Sequence, residues 1–111
     1  MRPQENGTKS DMSWWRQTDA MGHGFMVTKS IGHPFYASAL HYDIADLDDG
    51  DDKEQRHSPQ VPHSRFTNLF LDGEHTGVGG VDSWSGNAEA LKPYRVAYGD
   101  KYFSFTLSPV R

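Results

Sequence analysis

The chain has 111 residues, enough for one domain with one modest core, and so excludes an enzyme that carries its own cofactor domain. Only 35% of the residues are hydrophobic, yet three Trp, five Tyr and six Phe supply large side chains that disordered chains lack, so the sequence is expected to fold. The net charge is -4, and the segment from Asp43 to Glu54 alone holds seven acids against Lys53; without clustered Lys and Arg there is no phosphate-binding surface and no nucleic-acid partner is expected. The absence of cysteine removes disulfides, thiolate zinc sites and cysteine nucleophiles, and selects neither a cytoplasmic nor a periplasmic location. No apolar run approaches a membrane span or a signal core, so no membrane partner is expected. Met1 followed at once by Arg2-Pro3-Gln4-Glu5-Asn6-Gly7 reads as a cut edge rather than a natural start.

Short aromatic or β-branched runs are separated by Gly, Pro, Asn and Asp. Met12 to Thr18 and Phe25 to Ser30 read as a β-hairpin joined by the turn residues Asp19 to Gly24. After the break at His33-Pro34, Phe35 to Leu40 is a further strand. Asp43 to Leu47 offers an N-capping acid and apolar Ile44 and Leu47 for one or two helical turns, followed by an acidic, solvated loop over Asp48 to Gln60. Arg65 to Asp72 is a strand closed by Asp72-Gly73, and Gly77-Val78-Gly79-Gly80 leads irregular backbone into Asp82-Ser83-Trp84-Ser85-Gly86. Tyr102 to Leu107 alternates as a last strand, with Phe103, Phe105 and Leu107 on one face. Five or six short strands with little helix predict an all-β antiparallel sandwich, as a single domain over residues 1–111.

The six histidines show no metal-binding helical spacing and are read as structural or solvated. Counted back from Gly50, the acidic run puts Ala45 and Leu47 where a calcium loop needs acids, so no metal is assigned to this chain. The glycines at 77, 79 and 80 resemble a phosphate loop only superficially, because Asp82 replaces the last glycine of a dinucleotide fingerprint and no Lys-Ser or Lys-Thr follows. No nucleophile motif is present, and nothing in the spacing pairs Glu5, Glu74 or Glu89 as glycosidase carboxylates. The residues themselves therefore assign no catalytic group. Trp84, flanked by small polar residues, suits either of two roles: a packing side chain, or a platform for the C–H face of a sugar whose hydroxyls bond nearby Asp, Asn and Ser.

The P-Q-E-N-G run at residues 3–7, Trp15 with Thr18-Asp19-Ala20, Ser38-Ala39-Leu40-His41-Tyr42, Leu69-Phe70-Leu71-Asp72 and Gly77-Val78-Gly79-Gly80-Val81-Asp82-Ser83-Trp84-Ser85 together resemble, in order along nearly the whole chain, the C-terminal β-sandwich domain of bacterial family-two β-galactosidases. The resemblance implies the C-terminal portion of a large sandwich similar to galactose mutarotase. It implies a retaining enzyme that hydrolyses terminal β-D-galactosides, whose catalytic glutamates, Mg2+ and monovalent cation belong to a barrel domain outside this chain. This piece alone is then inactive, and its partners are that barrel, the β-galactoside and, through exposed sheet edges, a further copy of the chain. The family's tryptophan loop carries over to Trp84 as a substrate-binding residue, with Asp82 and Ser83 as the neighbours that shape the loop. Val81 stands where members carry a second acid, which makes the loop less polar. Two other roles stay open beside this one: a stand-alone carbohydrate-binding module, and an interdomain or subunit packing piece.

Overall fold

A computed structural model describes residues 7–47, 57–77 and 85–111. Within them the fold is two antiparallel three-stranded sheets with almost no helix. The strands are β1 (Lys9–Met12), β2 (Trp14–Thr18), β3 (Gly24–Lys29), β4 (Phe35–Leu40), β5 (Asn68–Asp72) and β6 (Phe105–Val110); a turn of α-helix, α1 (Ile44–Leu47), and three short 3-10 turns complete the described elements. One sheet runs β1-β4-β5 and the other β2-β3-β6.

The predicted hairpin is present, with Trp14 opposite Thr28 and Thr18 opposite Gly24. Its turn is built on Asp19, whose Oδ1 accepts from the amides of Met21 (2.8 Å) and His23 (2.9 Å), while Gly22 takes a left-handed φ of 86°. The expected first strand, however, divides: β1 pairs with β4 in one sheet and β2 with β3 in the other, so the chain changes sheets at Ser13. Asp11, with φ 53°, falls where the β1–β4 register shifts, and bends the backbone for that crossing.

Inward positions of the two sheets meet in one cluster. Phe35 and Ala37 of β4 and Val27 of β3 are buried, with Met12, Trp15, Phe25, Leu69, Leu71 and Phe103 packed around them. Alternation explains the selection, because Ala37 lies opposite Leu71 and Ala39 opposite Leu69, leaving Tyr36, Ser38 and Phe70 on the outer face. The result is a β-sandwich, as the residue pattern predicts.

Two strands differ in their bounds from the sequence reading. The fifth strand begins at Asn68 rather than Arg65, and Ser64 Oγ accepts from the amide of Phe66, which holds that stretch in a turn. Asp43 precedes the helical turn as expected, but its carboxylate accepts from Asn68 Nδ2 at 2.8 Å, tying the turn to β5. The last strand covers Phe105–Val110 rather than Tyr102 to Leu107. Lys101, Phe103 and Ser104 are held outside the ladder, by Glu74, Gly73 and Ser30 respectively, and Pro109 is accommodated because β6 is an edge strand among the described residues.

Candidate functional site

Asp82, Ser83 and Trp84, the expected sugar-contacting residues, lie outside the described residues, as does most of the acidic segment. The structure does describe the two roots of the loop that carries them. At the first root, the Gly77 amide donates to the Tyr94 carbonyl at 2.7 Å. A Cβ at Gly77 would stand 2.6 Å from Tyr94 Cβ, so only glycine allows this approach. At the second root, Ser85 caps the 3-10 turn Gly86–Ala88, its Oγ accepting from the Asn87 amide at 3.0 Å.

A short platform joins these roots. Arg95 pairs with Glu89 (2.8 Å) and its Nε donates to the Ala90 carbonyl, folding residues 89–95 around buried Ala90. A second 3-10 turn, Lys92–Tyr94, then delivers the Tyr94 carbonyl to Gly77. Gly77 and Ser85, the described residues on either side of residues 78–84, are thus both held to the same short segment of residues 86–95.

Three of the six histidines meet a neighbouring side chain. His41 Nδ1 lies 3.1 Å from Thr67 Oγ1, the His63 ring lies 4.8 Å from that of Tyr42, and His75 lies 5.7 Å from Tyr36. Among the described residues no group of three or more His, Asp or Glu side chains is placed to hold a metal ion. No helix among them is long and apolar enough to cross a membrane. Sequence reading missed one feature, a cleft bounded by Tyr36, Glu74, Asp100, Lys101 and Tyr102. Its walls are 27 residues apart at the Glu74–Lys101 pair, a separation at which no motif signals contact.

Comparison with known proteins defines the class. Residues 1–107 match the family described as beta galactosidase small chain. The chain therefore belongs to the beta galactosidase small chain family. It is 39% identical over 83 residues to the beta-galactosidase BgaC of Bifidobacterium adolescentis, covering 74% of this chain and 7% of that protein. It is 31% identical over 113 residues to a beta-galactosidase of Priestia megaterium, covering 99% of this chain and 10% of that protein. With the beta-galactosidase small subunit of Latilactobacillus sakei it shares 33% identity over 81 residues, 72% of this chain and 23% of that subunit. The chain thus spans between 7% and 23% of the length of these relatives. No solved structure matches it.

Proposed function

We propose that this chain is a non-catalytic part of a β-galactosidase that hydrolyses terminal β-D-galactosides with retention, and that its loop of residues 78–84 presents Trp84 to the sugar. The observation that carries the reading is the family match over residues 1–107; the hydrogen bonds at Gly77 and Ser85 support it by holding the residues on either side of 78–84. A retaining mechanism needs two carboxylates about 5–5.5 Å apart. In this proposal both belong to the rest of the enzyme, with its Mg2+ and monovalent cation, while Trp84 covers one apolar face of the galactoside and Asp82 and Ser83 shape the loop around it. The sandwich is proposed as the C-terminal portion of a larger one similar to galactose mutarotase.

Two assays test this. The 111 residues alone are expected to show no turnover of a nitrophenyl β-galactoside. In the intact enzyme, replacing residues 78–84 by a Gly-Ser linker of equal length is expected to raise KM about tenfold or more while hydrolysis persists. Turnover by the chain alone, or an unchanged KM in the linker variant, overturns the proposal.

A packing role accompanies the sugar role and has its own support. Trp15, Val27 and Leu107 stand in register across β2, β3 and β6, so their side chains share one face. Val27 is fully buried on that face, yet Leu107 is 60% exposed and its neighbour Phe105 42% exposed. The inner face of the sandwich is left open over β6, and we assign its cover to the catalytic part of the same enzyme. A further copy of the chain is the competing cover, and light scattering distinguishes the two by the mass of the chain in solution.

A further inference from the structure

The cleft beside the β4–β5 sheet is built rather than incidental. One wall is the start of β4 and the end of β5; the other is the irregular segment that leads into β6. Two contacts join the walls, and a third ties the second wall to the end of β3. Lys101 Nζ spans both carboxylate oxygens of Glu74, at 3.1 and 3.0 Å. The Phe103 ring lies over Gly73 so closely that a Cβ there would stand 2.8 Å from it. The Ser30 and Ser104 hydroxyls are 2.8 Å apart. Between the walls is a half-enclosed space of about 860 Å³, within the range of small-molecule sites.

The lining combines aromatic faces with both signs of charge. Tyr36 is partly buried and set against the His75 ring, while Tyr102 is 93% exposed at the mouth. Asp100 and the Tyr102 hydroxyl have no partner among the described residues, and the Glu74–Lys101 pair is half exposed. A carboxylate accepts from hydroxyl groups and an ammonium donates to them, while phenol rings cover C–H patches. Glu74 and Lys101 offset each other and leave Asp100 as the uncompensated charge, which repels an anion, while a neutral polyhydroxylated ligand finds acceptors, a donor and ring faces without meeting a like charge. From this lining we infer that the cleft is a subsite for a neutral carbohydrate, contacted by Tyr36, Tyr102, Asp100 and the Glu74–Lys101 pair. The choice of a galactoside as its ligand rests on the proposed function; the neutral sugar class rests on the lining.

A two-dimensional NMR titration of the 111-residue chain with lactose tests the subsite, read at the backbone amides of residues 33–36 and 100–104. Saturable shifts are expected there. Tyr102→Ala, at an exposed side chain whose loss leaves the core intact, should weaken them about tenfold, and Asp100→Ala about fivefold. Trp84→Ala should leave them in place. No saturable shift at these amides, or shifts that survive Tyr102→Ala unchanged, overturns the inference. So does saturable binding of inorganic phosphate at these amides, which would make the cleft an anion site. Because Trp84 is read separately, through its indole N–H, a response there with none at the cleft refutes the subsite while leaving the loop's role intact.

Discussion

At the residue scale, Gly24 and Gly22 matter for different reasons. A Cβ at Gly24 would overlap the Gln17 carbonyl, next to the Thr18–Gly24 pair that closes the β2–β3 ladder, and that oxygen is backbone, so neither side can yield without shifting the strand. Gly24→Ala should therefore lower stability by about 1–3 kcal/mol, seen as a lower urea midpoint at unchanged slope. Gly22, where nothing lies within 4 Å, answers to backbone geometry instead: its φ of 86° is one that a β-carbon disfavours. The Asp19 turn was readable from its residue types. The overlap at Gly24 was not, since it depends on the ladder register.

At the element scale, the hairpin and β4 were legible because alternation and turn residues agreed over Trp14 to Leu40. The division into β1 and β2 was hidden, because Met12 to Thr18 reads as one extended run and only the pairing partners reveal that it serves two sheets. The displaced last strand has a similar cause. Tyr102 to Leu107 alternates well, but Phe103 is drawn over Gly73 to finish the core, and a proline that would stop a central strand fits at an edge. The candidate loop was legible only as a motif; its base of Tyr94, Arg95 and Glu89 depends on contacts that spacing does not encode. The sheets are joined mainly through Phe35, Ala37 and Val27, so Phe35→Ala should cost about 3–5 kcal/mol. That is a large fraction of the stability of a small domain, and circular dichroism should show the isolated variant chain largely unfolded at 25 °C.

At the scale of the whole molecule, the described residues combine a small core with many large exposed apolar side chains. Among them Val27, Phe35, Ala37, Val61 and Ala90 are the buried hydrophobic residues, whereas Ile31 is 99% exposed and Trp14, Tyr98 and Leu107 are also open to solvent. Scattered apolar residues are ordinary on protein surfaces, but Leu107 and Phe105 continue the inward face of a sandwich, which makes their exposure informative. If the rest of a β-galactosidase covers that face, Leu107→Gln should change the stability of the isolated chain by no more than about 0.5 kcal/mol. In the intact enzyme the same substitution should lower the thermal midpoint by several degrees, because it then places an amide in an apolar contact. Equal midpoints for the intact enzyme and its Leu107→Gln variant would show that the face stays open.

We propose that this member of the family holds no catalytic group and that Trp84 lends one aromatic side chain to a sugar site. Steady-state kinetics of the intact β-galactosidase with Trp84→Ala test it most directly. The account predicts KM raised about tenfold, from loss of an aromatic contact of roughly 1.4 kcal/mol, with the acid–base chemistry still running. A KM and kcat both equal to those of the unsubstituted enzyme would contradict it, and would leave Trp84 with no role at the galactoside.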